Sequence, residues 1–295
     1  MPLARRPKQG RKSTNHKRGT ALLTVLLWTC VAYFVLPLVW LVMASTKTTA
    51  DLFSTFGFGP GTEFALWDNI VEVFNYDGGI FGRWLLNTIG YSLTAACAAA
   101  LVSTMAGYAF AKFQFPGSKI LFSVALGAIM IPATALAVPQ FVLASAFGLT
   151  NSPFAVIVPA IANPIGVFIM RVYAAEAIPD SLLEAGRVDG AGEFRIFFGI
   201  GLRLLAPGLV TVLLFSLVGA WNNYLLPLLM IRDQALYPVT VGLAYLNGQL
   251  AAQSGAAVNF STIITGSLIS VIPLLIAFAY LQRYWQTGLT TGAVK

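Results

Sequence analysis

The chain has 295 residues, of which 57% are hydrophobic and only 10% are charged, and its formal net charge is +7. Soluble domains carry roughly 25% charged residues, so this composition excludes a water-soluble globule and indicates an integral membrane protein. Two cysteines and one histidine are too few for a disulfide framework or a zinc site, which excludes both classes.

The N-terminal tail, residues 1–19, is strongly basic and holds seven of the 18 Lys and Arg residues. The positive-inside rule places such a tail in the cytoplasm, where anionic lipid explains its charge; a nucleic-acid-binding arm is the alternative. The tail and the apolar run after it also resemble a secretory signal peptide. That run is 25 residues long, whereas signal peptides use about 7 to 15, so we expect an uncleaved membrane anchor.

Six apolar stretches are long enough to cross a hydrocarbon core of about 30 Å as helices, which takes about 20 residues. None of them has an acidic residue, Lys or Arg in its central part. The sequence therefore predicts an all-α polytopic membrane protein with one membrane domain over residues 20–282. The six predicted spans cover residues 20–44, 85–111, 120–147, 153–170, 207–231 and 262–281.

The distribution of basic residues supports six spans with both termini in the cytoplasm. In that topology 15 of the 18 Lys and Arg residues lie on the cytoplasmic side, which includes a C-terminal tail over residues 283–295. The outer side carries two larger segments, residues 45–83 and 232–261, and we expect both to be available for contacts outside the cell.

Several residues inside the spans bear on helix geometry and packing. Cys30 and Cys97 lie in different spans, far apart in sequence, and we expect both to be small buried apolar residues. Prolines remove backbone hydrogen bonds and predict kinked or loosened helices. They are Pro37, Pro132, Pro139, Pro164, Pro227 and Pro273.

A polar passage, residues 171–207, interrupts this apolar chain and has the pattern of two short helices joined by a glycine turn. Ser181 and Glu184 have the spacing of a capping box, so the first helix should begin there and stop at Asp189 and Gly190. A second, amphipathic segment should follow, with an apolar stripe at helical spacing. That stripe comprises Phe194, Phe197, Phe198 and Gly201.

Small residues in this passage predict a low surface that the backbone of a partner could approach closely. They are Ala185, Gly186, Gly190, Ala191 and Gly192. The pattern alone leaves open a second interpretation, in which the passage is an interfacial connecting helix without a partner.

The stretch EAGRVDGAGEFRIFFGIGLRLLAPG resembles the EAA loop of ABC importer permeases, in which E-A-A is followed after three residues by Gly. It matches that pattern at Glu184, Ala185 and Gly190. It departs at Gly186, where Ala is usual, and at Ala206-Pro207, where Leu-Pro is usual. Glycine keeps the small size that close docking needs, but it weakens a helix by roughly 1 kcal/mol.

The resemblance implies that residues 176–206, here called the coupling loop, enter a cleft on a cytoplasmic ATPase subunit. In this sequence Arg187 and Asp189 are expected at the rim of the contact, where charges steer association. The residues expected to take part are Ser181, Glu184, Ala185, Gly186, Arg187, Asp189, Gly190 and Ala191.

Other stretches narrow the resemblance to the MalG-type permeases of maltose-type carbohydrate ABC importers. The similarity covers residues 20–295 and implies a type I ABC importer permease fold in a prokaryotic cell (inner) membrane. It also implies import of a di- or oligosaccharide or a related sugar. The stretches that carry it are LFSLVGAWNNYLLPL, FGLTNSPFAVIVP, NTIGYSLTAACAAALVSTMAGYAFAKF and QRYWQTGLTTGAVK.

The same resemblance implies the partners of the chain. A MalF-type permease would pair with it over a cytoplasmic ATPase dimer, and an extracytoplasmic sugar-binding protein would deliver the sugar. Residues 241–260 would probe that binding protein, and the C-terminal TGLTTGAVK would contact the ATPase dimer. ATP and Mg²⁺ would bind to the ATPase, with no cofactor on this chain.

The residues themselves agree with a transporter that takes its energy from another chain. An ion-coupled carrier should hold a carboxylate or His near the membrane midplane, and the predicted spans contain none there. The fragment PGSK, residues 116–119, lacks the phosphate-loop motif that ATP hydrolysis needs. We therefore expect a non-catalytic permease. An ion-coupled secondary transporter or channel is the alternative, and a membrane enzyme is another.

The fifth predicted span carries a polar and aromatic group, Trp221, Asn222, Asn223 and Tyr224. At 1.5 Å per residue, Asn222 would lie about 22 Å from the inner face, past the membrane midplane. Amides can bond sugar hydroxyls and aromatic faces suit sugar rings, so these residues and Gln140 are candidates for the sugar path. Helix packing is the alternative, and the resemblance assigns much of the sugar binding to the MalF-type partner.

Overall fold

The computed structural model of the chain describes residues 13–252 and 259–290. Within those ranges the regular structure is helical, without a strand, which confirms the predicted all-α fold class. The basic tail before Ser13, part of the 241–260 segment and the end of the C-terminal tail lie outside the described residues.

The chain divides into two compact units, Met1–Asn69 and Ile70–Lys295. The described part of the first unit contains α1, Ser13–Ser45, and α2, Thr49–Ser54, and the division falls within α3, Leu66–Asn75. The most apolar stretch of α1 is not buried at all within this chain. Its apolar surface must therefore be covered by lipid or by another chain.

The second unit is a bundle organised around α4, Ile80–Lys112, which packs against α7, α8 and α12. A 3-10 turn precedes α4, and a π-helix, Phe197–Gly201, separates α10 from α11. The last helix continues to Thr290, so the predicted C-terminal tail begins as helix. The other helices are α5 Ser118–Ile129, α6 Ala137–Ala146, α7 Phe154–Ile161, α8 Pro164–Ala177, α9 Asp180–Val188, α10 Glu193–Ile196, α11 Leu202–Leu204, α12 Ala206–Trp221, α13 Leu225–Met230, α14 Val239–Ala251 and α15 Phe260–Thr290.

The close approach of α4, α8 and α12 depends on glycine. A Cβ atom added at Gly107 of α4 would lie 2.5 Å from Met170 Cβ on α8. One added at Gly208 of α12 would lie 2.9 Å from the ring of Tyr173 on α8, and one at Gly166 of α8 would lie 2.8 Å from a side chain of α12. Small residues let membrane helices bring their backbones together in this way.

The number of membrane crossings was predicted as six, and that number stays a prediction. Among the described residues four stretches are long and apolar enough to cross as helices, and a fifth qualifies if the two helical segments that meet at 78° on either side of Leu205 form one broken span. The four stretches are Thr20–Ser45, Leu66–Lys112, Phe154–Ala177 and Phe260–Tyr284.

Three of the predicted spans are interrupted rather than continuous. Pro132 lies in the first break and Pro164 opens the helix after the second, whereas Pro37 and Pro273 lie inside helices that continue. A continuous apolar run therefore did not imply a continuous helix. The breaks lie at residues 130–136, 162–163 and 222–224.

The two cysteines correct an expectation, since Cys30 and Cys97 are both exposed in this chain. The reason is that α1 buries none of its apolar stretch, and that Cys97 points away from the buried alanines of α4. In the part of the chain that the structure describes, no group of three His, Cys, Asp or Glu residues could hold a metal ion.

Candidate coupling loop and transport path

The first helix of the coupling loop is α9, and the capping box predicted at its start is absent. The N-cap residue is Pro179, with φ −64° and ψ 137°, and no side chain caps the helix. Ser181 and Glu184 therefore lie inside the helix, so that prediction was wrong. The proline ring fixes a φ that suits the entry of a helix, and the carboxylate of Asp180 in the first turn is favoured by the helix dipole.

The start of α9 is tied to the end of α4 by an ion pair. Lys112 Nζ donates to Asp180 Oδ1 at 2.8 Å, and the side chains are 6% and 79% exposed respectively. A pair with one exposed member contributes about 0–1 kcal/mol. The ion pair therefore orients α9, and the apolar contacts of the loop hold the helix in place.

The glycine turn predicted after α9 is confirmed. Gly190 has φ +77°, in the left-handed region. Its N–H donates to Arg187 O and the N–H of Ala191 donates to Gly186 O, both at 3.0 Å. These two bonds form a Schellman motif, which ends a helix at a left-handed residue that glycine adopts without strain.

One side of the coupling loop packs into a core that it shares with the long helices. The shared cluster places side chains of the loop against the ends of α4, α8 and α12. A close-packed interior transmits displacement, so the loop cannot move without moving those helix ends. The loop contributes Leu183, Ile196, Phe197 and Leu205, and the long helices contribute Ala100, Tyr108, Met170, Ala174 and Val212.

The opposite side of α9 is open to solvent in this chain. Gly186 does not belong to that open surface, because it is buried and an added Cβ would lie 3.1 Å from Ile196 Cγ1. Its small size serves packing inside the loop, which corrects the expectation that it faces a partner. The exposed residues are Ser181, Glu184, Ala185, Arg187, Val188, Asp189 and Gly190, and Ala191 is half-buried.

The apolar stripe predicted for the second helix does not form one face. Phe197 is buried, with its ring centroid 5.1 Å from that of Tyr108, whereas Phe194 is 76% exposed and Phe198 is 48% exposed. A π-helix begins at Phe197, and its i to i+5 hydrogen bonds shift the residues that follow out of the α-helical register. Ile196 takes the buried position instead.

An ion pair closes the loop across its turn. Arg187 Nε donates to Glu193 Oε1 at 2.7 Å, and this hydrogen bond raises the pKa of Arg187 above its usual value. Arg187 is therefore engaged within the loop, whereas Asp189 is exposed at the turn. Two buried oxygens beside this pair, Glu193 Oε2 and the Tyr108 hydroxyl, have no hydrogen-bond partner within the described ranges.

The candidate sugar-path residues lie at a helix end. Trp221 is the last residue of α12 and is 6% exposed, so Asn222 does not sit within a continuous span as predicted. Asn222 Nδ2 donates to Val218 O at 2.9 Å, and Thr240 Oγ1 donates to the backbone oxygen of Asn223 at 2.9 Å. The side chain of Asn222 therefore caps the end of α12, and the backbone of Asn223 ties the break to α14.

Tyr224 and Gln140 complete the predicted group. Tyr224 is 42% exposed in the break before α13. Gln140 is half-buried on α6, which packs against α13. The structure thus brings the helix of Gln140 beside the helix that follows Tyr224.

Sequence reasoning missed a polar node at the break between α7 and α8. Asn163 Nδ2 donates to Ser216 Oγ on α12 at 3.0 Å, and Asn163 Oδ1 accepts from Gly166 N at 2.9 Å. The Asn-Pro pair at the start of α8 is a helix-start signal that could have revealed it. A cavity of about 350 Å³ opens beside this node, lined by Asn163, Ile165, Gly166, Ile169, Val212 and Phe215.

Comparison with known proteins bears on the whole of this architecture. Residues 99–289 match the family of binding-protein-dependent transport system inner membrane components. The arabinooligosaccharides transport system permease protein AraQ of Halalkalibacterium halodurans is 35% identical over 264 residues, which is 88% of this chain and 91% of that protein. The trehalose transport system permease protein SugB of Mycobacterium tuberculosis is 32% identical over 270 residues, 90% of this chain and 94% of that protein.

A solved structure shares the fold. A chain of a bacterial ABC transporter involved in the import of the acidic polysaccharide alginate superposes with a TM-score of 0.77 at 20% identity. The superposition covers 95% of this chain and 100% of that chain.

Proposed function

Because this chain belongs to the family of binding-protein-dependent transport system inner membrane components, we propose that it is the permease subunit of an ATP-driven sugar importer. The sugar is a di- or oligosaccharide or a related compound, since similar permeases are named for arabinooligosaccharides and trehalose. The chain forms half of a transport path and does not hydrolyse ATP itself.

The observation that carries the proposal is the two-sided construction of the coupling loop. Its inner side is embedded in the core that joins α4, α8 and α12, and its outer side presents an open, short helix with a rigid glycine turn. A partner that binds the open side would displace α9, and the packed side would pass that displacement to the membrane helices.

In this proposal the partner at the open side is a cytoplasmic ATPase dimer, which binds ATP and Mg²⁺. Glu184 and Ala185 face the ATPase from the middle of α9, and Asp189 steers the encounter from the turn. Ser181, Gly190 and Ala191 shape the contact, and Gly186 and Arg187 hold the loop together behind it.

The remaining assembly is inferred from the family. A second, MalF-type permease supplies the other half of the path, and an extracytoplasmic sugar-binding protein delivers the sugar. The chain crosses a prokaryotic inner membrane six times with both termini in the cytoplasm. Labelling single cysteines introduced at Ser13 and Thr290 in intact cells tests this topology, because reagent from outside should reach neither.

We propose that the sugar path is lined by the interrupted helices rather than by continuous ones. Non-helical backbone at membrane depth is tolerated where it lines a cavity, which fits the break at Asn222–Tyr224 and the cavity beside Asn163. Asn222→Ala and Asn223→Ala should change sugar uptake or selectivity while the complex still assembles. Unchanged uptake kinetics for several sugars would assign both amides to helix packing.

The decisive experiment replaces Glu184 with Ala in the complete transporter. Since Glu184 is exposed and caps nothing, the isolated permease should keep its stability within about 0.5 kcal/mol. The complex should nevertheless lose ATPase subunit on purification or lose sugar-stimulated ATP hydrolysis. Glu63→Ala is the matched control, an exposed carboxylate outside the coupling loop. Equal behaviour of the two variants, or sugar transport by the permease alone in liposomes, would overturn the proposal.

A further inference from the structure

The segment between α1 and α3, residues 46–65 and here called the 46–65 loop, hides its own charges. Lys47 is 1% exposed, and its Nζ donates to Thr55 Oγ1 at 2.9 Å and to Phe56 O at 2.7 Å. Asp51 is 4% exposed and accepts from the N–H and the hydroxyl of Thr62 at 3.0 and 2.9 Å. Both charged groups are therefore satisfied inside the loop.

The ends of the same loop are fastened together. Asn69 Nδ2 donates to Ser45 O and to Lys47 O, both at 2.9 Å, and it is itself buried. The N–H of Ala65 donates to Thr46 O at 2.9 Å. A loop whose ends meet and whose interior is filled by its own side chains is a compact Ω-loop, which keeps one shape without a partner.

This compact loop displays aromatic side chains on its outside. Four exposed rings lie in the loop and a fifth follows at the start of α3; from Thr48 to Thr62 the loop exposes no charged side chain, and its exposed charge is Glu63, next to the last ring of the loop. Soluble surfaces rarely gather so much apolar area without a partner. The rings belong to Phe53 (72% exposed), Phe56 (76%), Phe58 (39%), Phe64 (67%) and Trp67 (70%).

The loop also folds back along the end of α1. A Cβ atom at Gly57 would lie 3.2 Å from Trp40 Nε1, so the backbone between the rings of Phe56 and Phe58 rests on the Trp40 indole. Trp40 precedes the helix end at Ser45 by five residues, which is about 7.5 Å at 1.5 Å per residue. The two phenylalanine rings are therefore held near the level of the last turns of α1.

The depth of those turns follows from the length of the span. The apolar part of α1 has 26 residues, about 39 Å of helix, whereas the hydrocarbon core is about 30 Å thick. About 9 Å of helix therefore extends beyond the core, about half of it at each end when the helix is centred, so Trp40 lies close to the boundary of the core, where amphipathic aromatic rings prefer to sit.

We propose that the 46–65 loop is a membrane-interface anchor, whose exposed rings insert into the lipid headgroup and acyl boundary beside the end of α1. The occupant of this aromatic surface is the lipid bilayer itself. Burial of Lys47 and Asp51 suits that occupant, because charged side chains would have to be dehydrated at the same depth. The anchor fixes the depth and tilt of a helix whose most apolar stretch is unburied in this chain.

The test uses the assembled transporter in lipid nanodiscs. Phe56→Cys is labelled with an environment-sensitive fluorophore after Cys30 and Cys97 have been replaced by Ala, and the lipids carry a nitroxide near the headgroup. We expect a blue-shifted emission and a loss of fluorescence in the spin-labelled lipid. Asp189→Cys, at the exposed turn of the coupling loop, is the control and should keep its fluorescence.

Phe58→Cys provides a second site on the same surface and should respond as Phe56→Cys does. If aqueous iodide quenches both labels and the nitroxide lipid does not, the rings face water and the proposal is overturned. If neither quencher reaches them, a protein partner covers the rings, which overturns it equally.

Discussion

The 46–65 loop and the coupling loop are two polar passages in one apolar chain, and they are built in opposite ways. The 46–65 loop buries Lys47 and Asp51 and exposes four aromatic rings. The coupling loop buries apolar side chains such as Leu183 and Phe197 and exposes Glu184 and Asp189. What a loop exposes reflects the medium it meets, so we assign the first to lipid and the second to a protein partner in water.

The two loops also differ in what keeps them folded. The 46–65 loop is held by hydrogen bonds of charged and amide side chains to backbone oxygens. The coupling loop is held by an apolar cluster and a glycine turn. Removing a polar side chain should therefore destabilise the 46–65 loop, and straining the backbone should destabilise the coupling loop.

The largest effect is expected for Lys47→Met. The substitution removes both hydrogen bonds of the buried ammonium, to Thr55 Oγ1 and to Phe56 O, and a hydrogen bond to a charged group contributes about 1.5–3 kcal/mol. Hydrogen exchange should show faster exchange of amides in the 46–65 loop. Lys119→Met, at an exposed lysine, is the control and should change nothing. Unchanged protection in Lys47→Met would show that apolar contacts hold this loop too.

The next effect is expected for Gly190→Val. A β-branched residue at φ +77° is strained by about 1–2 kcal/mol or more, although among the described residues no atom beyond its chain neighbours lies within 4 Å of the added Cβ. The turn should open, and sugar-stimulated ATP hydrolysis by the complex should fall. Gly190→Asn should retain more activity, because Asn tolerates the left-handed region. Parental coupling in Gly190→Val would remove the turn from the mechanism.

Low pH should distinguish the two loops, because it should destabilise the 46–65 loop. Hydrogen bonds from Thr62 lower the pKa of Asp51 below its ordinary value of 3.8, although burial opposes the shift. A lowered folded-state pKa stabilises the loop fully above the ordinary value, and that contribution is lost as pH falls through the folded-state pKa. Below pH 3.8, amides in the 46–65 loop should therefore lose protection relative to their intrinsic exchange rate at the same pH. Asp51→Asn should lack this pH dependence, and Asp68→Asn, at an exposed carboxylate, should keep it.

The smallest effect is expected for Tyr108→Phe in the core of the coupling loop. The hydroxyl is buried without a hydrogen-bond partner in the described part of the chain. Its removal therefore costs no hydrogen bond and removes a buried unsatisfied polar group. The thermal midpoint of the purified complex should stay the same or rise slightly. A clear decrease would mean that the hydroxyl finds a partner in the assembled transporter.

The sequence was a good guide to the coupling loop wherever local chemistry decides the structure. Asp189 and Gly190 predicted the end of α9, because a left-handed turn needs glycine whatever surrounds it. The start of α9 and the phenylalanine stripe were predicted wrongly. A proline cap and a π-helix depend on how the loop packs on the long helices, and helical spacing alone carries no sign of that packing.

The sequence was a poor guide where an apolar run conceals a break. Residues 130–136 and 222–224 read as parts of spans, because hydropathy reports burial in lipid and not backbone geometry. The burial of Lys47 and Asp51 was likewise not predicted from the sequence. Their partners are mostly backbone atoms and hydroxyls that the fold of the loop brings near. No residue pattern in the sequence indicates these contacts.

The glycines that bring α4, α8 and α12 together also limit how this bundle can deform. Translating one helix along another would carry bulkier residues into gaps sized for Gly107 and Gly208, where even one added carbon lies within 3 Å of its neighbour. Shear between these helices is therefore obstructed, and bending at the interrupted segments is left as the accessible degree of freedom. In the proposed coupling, a push on α9 would thus rotate nearly rigid helices about the breaks at residues 162–163 and 222–224.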